Sequence, residues 1–161
     1  MRPIVPNIWI NDGLVEEAVD FYVSLLDDSR VVSSTEYGPD AGEWAGQKMA
    51  ISFELQGRPY VAINGADTRF VANESVSFAV PCDTQDEIDR LWDALTTGGE
   101  PGPCGWLKDR YGFSWQVYPA RLDEMMADPD PEKVQRAVAC FMKIDKRAFD
   151  IDELEAAYAG R

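Results

Sequence analysis

The sequence predicts an α+β protein made of two βαβββ modules followed by C-terminal helices. Two observations carry this. The order strand, helix, strand, strand, strand occurs twice, over residues 3–65 and again over residues 75–119. The run Cys104–Pro119 reads as two strands joined by a tight Asp109–Gly112 turn. In its second strand Phe113, Trp115 and Val117 alternate with Ser114, Gln116 and Tyr118, giving one apolar face and one polar face able to line a cavity. The modules are therefore expected to be pseudo-symmetric. Residues 1–119 form the pair and residues 120–161 a helical extension. A chain of 161 residues suits one compact domain or two small, closely fused modules.

The elements follow in order. Over Ile4–Ile10, Ile4, Pro6, Ile8 and Ile10 alternate with Val5, Asn7 and Trp9, and Pro6 suits a strand start or edge. Asp12 is the expected N-cap of a first helix. Glu16 and Glu17 lie near its positive end, and Leu14, Ala18, Phe21, Tyr22 and Leu25 recur at helical spacing. Strands are expected at Arg30–Tyr37, Gln47–Leu55 and Pro59–Asn64, with a loop at Tyr37–Gly46 and a turn at Gln56–Pro59. The second module opens with a strand at Ser75–Val80. Thr84 and Glu87 form a capping box, and Ile88, Leu91, Trp92 and Leu95 give the second helix a buried face that stops at Gly98-Gly99. Beyond Pro119, Asp130 caps a helix with Pro131 at its first position, and Asp150 and Glu153 cap a last one. The apolar stripes of these helices are expected to pack on the parent domain or across a dimer.

Composition excludes several roles. The net charge of −14 repels phosphate backbones and anionic lipid, so no nucleic-acid or membrane-surface partner is expected. No apolar run reaches the ~18 residues of a membrane span, and the Met1–Pro6 start lacks the apolar stretch of a signal peptide. Cys82, Cys104 and Cys140 are odd in number and not in CxxC pairs, which fits a cytoplasmic protein without a disulfide scaffold or zinc site. The chain has no histidine, which excludes Ser-His-Asp and Cys-His catalysis and every His-ligated metal site.

Four segments carry a resemblance. They are Phe21-Tyr-Val-Ser-Leu-Leu26, Ala62-Ile-Asn-Gly65, the stretch from Cys82 to Trp92, and Cys104-Gly-Trp-Leu-Lys-Asp-Arg-Tyr-Gly-Phe-Ser-Trp-Gln116. Together they resemble the PhnB-like branch of the vicinal-oxygen-chelate superfamily, which includes glyoxalase I, extradiol dioxygenases and bleomycin-resistance proteins. The likeness spans about residues 3–143. It implies that each module curls its sheet into half of a cup. Metal-using relatives place a His on the first strand of each module and a Glu on the last. Here Val5 and Ser75 fall at the His positions, and Ala62 or Asn64 and Gln116 at the Glu positions. None is a strong divalent-metal ligand, so no metal and no cofactor is expected. The branch has often been labelled a demethylubiquinone methyltransferase. The chain has no Gly-rich strand-to-helix loop and no doubly wound βαβ series to support that label.

The expected cup is lined by aromatic and amide groups. Asn7, Trp9, Tyr60 and Asn64 come from the first module, and Ser77, Ser114, Gln116 and Tyr118 from the second. Trp106 joins them from the preceding strand, on one face with Cys104 and Lys108. Such a lining suits a flat or amphiphilic ligand. Trp92 and Trp115 read as core, whereas Trp9 and Trp106 could be core or lining. Tyr60 and Asn64 could instead serve a subunit contact. Cys104 reads as a packed neutral thiol and Lys108-Asp109-Arg110 as a solvated hairpin tip. The preferred function is metal-independent binding of a small aromatic or amphiphilic molecule. The alternative is a superfamily enzyme of isomerase, lyase or oxygenase type with a nonstandard site, and whether the chain is an enzyme at all stays open. The resemblance also implies a homodimer.

Overall fold

The computed structural model describes residues 3–65 and 70–161. The chain divides into two compact units, Met1–Val71 and Ala72–Arg161. The first contains β1 (Asn7–Ile10), α1 (Val15–Leu25), β2 (Arg30–Glu36), a short 3-10 turn (Gly42–Trp44), β3 (Lys48–Leu55) and β4 (Arg58–Asn64). The second contains β5 (Ser77–Cys82), α2 (Gln85–Thr96), β6 (Glu100–Pro101), β7 (Trp106–Lys108) and β8 (Ser114–Pro119), then α3 (Arg121–Met126), α4 (Pro131–Phe141) and α5 (Ile151–Ala159).

Each unit folds its βαβββ segment into a four-stranded sheet with the same connectivity. The orders are β1-β4-β3-β2 and β5-β8-β7-β6. In both, the first strand runs parallel to the fourth, and the remaining pairs are antiparallel. The helix supplies the crossover that a parallel pair requires. Its apolar stripe covers one face of its own sheet. In the first unit Val15, Ala18, Val19, Tyr22 and Leu25 of α1 are buried with Ile51 and Phe53 of β3. In the second, Ile88, Leu91, Trp92 and Leu95 of α2 are buried with Val80, Leu107, Trp115 and Val117.

The capping chemistry of α2, α4 and α5 is as the sequence predicts. Thr84 accepts from the Glu87 N–H while Glu87 reaches back to the Thr84 N–H, Asp130 caps α4 ahead of Pro131, and Asp150 accepts from the Glu153 N–H. The start of α1 differs. Asp12 and Gly13 both have positive φ, 61° and 73°, and form a left-handed turn. A capping side chain needs an extended backbone at its own residue. Asp12 therefore cannot cap, and Leu14 occupies the N-cap without a side-chain bond. The first strand also begins at Asn7 rather than Ile4, which is exposed.

The extension after β8 is tied to the second unit. Gln85 at the start of α2 donates to the Phe149 carbonyl at 2.7 Å and accepts from the Ile151 N–H at 2.9 Å. Cys104 N–H donates to Ile144 O and Lys146 N–H to Gly102 O. The Phe149 ring lies so close to Gly105 that a Cβ there would stand 2.5 Å from it, so this position accepts only glycine. The short α3 is not anticipated by the sequence reading. It buries Met125 alone and so shows no apolar period.

Candidate functional site

The register of β5, β8, β7 and β6 sorts the second sheet into two faces. Phe78, Val80, Trp115, Val117 and Leu107 share the face toward α2. Ser77, Ala79, Ser114, Gln116 and Tyr118 share the far face, joined by Trp106 and Lys108 on β7 and by Glu100 on β6. Ser77, Trp106, Ser114, Gln116 and Tyr118, five of the residues expected to line a cavity, thus stand on one surface. The Gln116 amide donates to the Ser77 hydroxyl at 2.8 Å.

The hairpin that presents this face is organised by Asp109. It is 3% exposed, so it is neither a ligand clamp nor part of a solvated tip. One carboxylate oxygen accepts from the N–H groups of Tyr111 and Phe113 at 2.8 and 3.0 Å, and the other accepts from the Trp115 indole N–H at 2.8 Å. The turn closes through Gly112 N–H to Asp109 O, with Gly112 at φ 86°. The turn has a local signal in the sequence, but the bond to Trp115 is set by the hairpin pairing and has no sequence signature.

Two recesses flank Trp106 in this unit. The first, of about 290 Å³, is bounded by Trp106, Gln116, Tyr118 and Cys104, with Met126 of α3 and Phe141 of α4. It is mostly apolar, with the Gln116 amide, the Tyr118 phenol and the Asp123 carboxylate as its directed polar groups. Burial, then the charge of nearby Asp123, pushes the Tyr118 hydroxyl above the usual phenol range, so it stays protonated. The half-buried Cys104 thiol lies 3.9 Å from the Met142 sulfur. The second recess, of about 360 Å³, lies between Trp106 and β6 and includes Ser114, Lys108, Glu100 and Glu74. Lys108 and Glu74 pair at 2.5 Å. That bond raises the Lys108 ammonium and lowers the Glu74 carboxyl from their ordinary values. Glu74, Glu100, Met126 and Phe141 are absent from the sequence-based set. Phe141 falls on the apolar stripe of a helix expected to pack, and the others carry no periodic signal.

The first unit does not follow the expectation. β1 and β4 run parallel with Ile8 opposite Ala62 and Ile10 opposite Asn64. Tyr60, Ala62 and Asn64 therefore share the face toward α1, and Val61 and Ile63 share the far face with Asn7 and Trp9. Tyr60 stacks on Phe53 with ring centroids 5.5 Å apart. Asn64 is buried, and its amide donates to Lys48 O at 2.9 Å. These two residues belong to the unit's own packing. Asn7 is exposed and donates to Val5 O. Trp9 is held by its own unit, with the indole N–H on Asn11 at 2.9 Å and the ring edge against Phe70. A Cβ on Gly65 would lie 1.9 Å from that indole nitrogen, so the glycine admits the ring.

The residues present do not fit the divalent ion that the superfamily uses. Val61 and Ile63 occupy the far face of β4, Gln116 that of β8 and its partner Ser77 that of β5. Among the described residues, no group of three or more His, Cys, Asp or Glu is arranged to hold a metal.

Comparison with known proteins agrees with the architecture. The profile of the family described as 3-demethylubiquinone-9 3-methyltransferase matches residues 2–118. The PhnB protein of Bacillus cereus is 30% identical, with a TM-score of 0.65 over 73% of this chain and 99% of its own. Protein PA1353 of Pseudomonas aeruginosa, at 22% identity and a TM-score of 0.59, shares the fold over 74% of this chain and 98% of its own. The fosfomycin resistance protein FosX of Mesorhizobium loti, at 12% identity and a TM-score of 0.50, covers 79% of this chain and 98% of its own. No curated protein matches the sequence. With its twice-repeated βαβββ sheet and a family match over most of its length, the chain belongs to the family described as 3-demethylubiquinone-9 3-methyltransferase, the PhnB-like branch of the vicinal-oxygen-chelate superfamily.

Proposed function

We propose that the protein binds a small aromatic or amphiphilic molecule on the far face of the second sheet, without a divalent metal. The observation that carries this is the recess beside Trp106. An indole, a phenol and the apolar side chains of Met126 and Phe141 line it together with two directed polar groups, the Gln116 amide and the Asp123 carboxylate. Apolar walls with few convergent polar groups are the usual composition of a small-molecule site. The Gln116–Ser77 pair offers hydrogen bonds of fixed direction, and Asp123 is a single carboxylate, short of the ligand set a divalent ion needs.

This reading departs from the activity in the family's description. Among the described residues, no strand leads through a Gly-rich turn into a helix of a doubly wound sheet, the usual cradle for a nucleotide-like methyl donor. Isothermal titration against a panel of one- and two-ring amphiphiles tests the proposal. Binding should persist in EDTA and weaken about tenfold or more in Trp106→Ala, in keeping with a buried aromatic anchor. Binding that requires an added divalent ion, or methyl transfer by the purified protein, would overturn it.

The same reading takes the protein as a cytoplasmic homodimer. Its free cysteines support the first point, and the exposed Val31 and Val32 of β2 support an apolar contact with a second copy. No helix among the described residues is long and apolar enough to cross a membrane. Light scattering at micromolar concentration and cell fractionation test these points, and a monomeric mass or a membrane-pellet signal would refute them.

A further inference from the structure

The second recess contains a polar group that its surroundings leave unsatisfied. Ser114 is 2% exposed, and its hydroxyl has no hydrogen-bond partner among the described residues. The neighbouring Ser77 hydroxyl already accepts from Gln116. A buried hydroxyl without a partner is unfavourable, and such a group in a native fold calls for an occupant. Ser114 lies on the far face, in register with Lys108, and lines the recess of about 360 Å³. That volume is enough for a one- or two-ring molecule.

The charge of the recess is also unbalanced. Lys108 is the ammonium of this lining and is held by Glu74 at 2.5 Å. Glu100 stands opposite Lys108 in the β6–β7 ladder; its carboxylate makes no ion pair or hydrogen bond among the described residues, and its charge adds to that of Glu74 on the Lys108 ammonium. Two carboxylates thus face one ammonium, in a chain of net charge −14. Trp106 forms the aromatic wall, and a cation is attracted to the face of an indole. An anion would have to part Lys108 from Glu74 and would then meet two free carboxylates.

We propose that this recess binds an organic cation, its flat ring against Trp106, its positive charge beside Glu100 and a hydrogen-bond acceptor at the Ser114 hydroxyl. The inference rests on the small-molecule reading of this face above and extends it to the second recess beside Trp106, with the charge class of the ligand taken there.

Isothermal titration at pH 8 with three compounds of one shape tests it. These are 6-methoxy-1-methylquinolinium, its uncharged parent 6-methoxyquinoline, and the 4-carboxylate of that parent. The quinolinium should bind about tenfold more tightly than the parent, from the combined cation–π and carboxylate attraction. Glu100→Gln should bring that ratio close to one, and added salt should shrink it. Ser114→Ala should weaken both compounds. If cation and parent bind equally and Glu100→Gln leaves the ratio alone, the charge assignment falls while the small-molecule reading stands. Tightest binding by the carboxylate, lost in Lys108→Met, would identify an anion site and overturn the proposal. If none of the three binds while members of the amphiphile panel do, binding is confined to the recess beside Tyr118 and this inference fails. Failure of the panel as well removes the small-molecule reading itself.

Discussion

Replacing Asp109 with asparagine changes one atom in the turn that presents the candidate site. In the native hairpin two carboxylate oxygens accept the N–H groups of Tyr111, Phe113 and Trp115 at 2.8, 3.0 and 2.8 Å. A carboxamide has one acceptor oxygen. If that oxygen keeps the two backbone donors, its NH2 group faces the buried Trp115 indole N–H, donor against donor. Losing a hydrogen bond to a charged acceptor costs about 1.5–3 kcal/mol. The two remaining bonds become neutral ones and weaken by roughly half. Relief of the buried charge offsets part of this, leaving a net loss of about 2–3 kcal/mol. For a chain of this length each kcal/mol moves the thermal midpoint by about 2–4 °C, so Asp109→Asn should melt roughly 4–12 °C lower. Differential scanning calorimetry measures the shift, and tryptophan emission should move to the red as Trp115 loosens. Because β7 and β8 carry Trp106 and Gln116, ligand affinity should fall in parallel. A midpoint within about 2 °C of wild type would refute the reasoning, since it would mean that the three bonds contribute little net stability.

Other perturbations test separate parts of the structure. Thr84→Ala removes half of the α2 capping box and should cost about 1 kcal/mol in urea unfolding. Gly105→Ala places a Cβ 2.5 Å from the Phe149 ring and 2.6 Å from Val117 O, at φ 79°. It should destabilise by about 2–4 kcal/mol, and near-UV circular dichroism should report displacement of the aromatic cluster. Ser114→Ala should raise the stability of the ligand-free protein by roughly 1 kcal/mol, because it deletes an unpaired buried hydroxyl. The Cys82 thiol is pushed up to about 11, chiefly by burial. The unfolded thiol ionises first, so the folded state holds more protons between about pH 9 and 11, and stability falls across that window. Cys82→Ala should flatten that part of the midpoint-against-pH curve, and an unchanged slope would count against the assignment.

The elements legible in the sequence are those decided by neighbours in the chain. The Thr84–Glu87 box, the Asp130–Pro131 start and the alternation over Ser114–Tyr118 are local, and each reappears in the structure. Asp12 shows the limit of that approach. Its residue type favours a cap, but the Asp12-Gly13 turn takes the backbone into the left-handed region where a cap cannot form. Asp109 shows a second limit. A charged residue between Lys108 and Arg110 reads as solvated. Pairing of β7 with β8 nonetheless brings the Trp115 indole onto it and buries it.

The face of β4 is the instructive case for function. Tyr60 and Asn64 look like the polar side of the strand, and Val61 and Ile63 like the apolar side that a helix would cover. Parallel pairing with β1 decides otherwise, because Ile8 and Ile10 must lie against α1 and carry Ala62 and Asn64 with them. There the Asn64 amide N–H bonds to Lys48 O, while its buried Oδ1 has no partner among the described residues. The two modules thus share a topology and differ in their far faces. The first presents Val61, Ile63 and Trp9 with Asn7 and Ser52, while the second presents the Gln116–Ser77 pair, Tyr118, Trp106 and the unpaired Ser114 hydroxyl. Repetition of the fold predicts equivalent surfaces, but the second unit sets its polar groups beside an indole and a phenol. The proposed ligand chemistry therefore belongs to that unit, and substitutions at Trp106 and Gln116 should weaken binding where substitutions at Tyr60 and Asn64 act through stability.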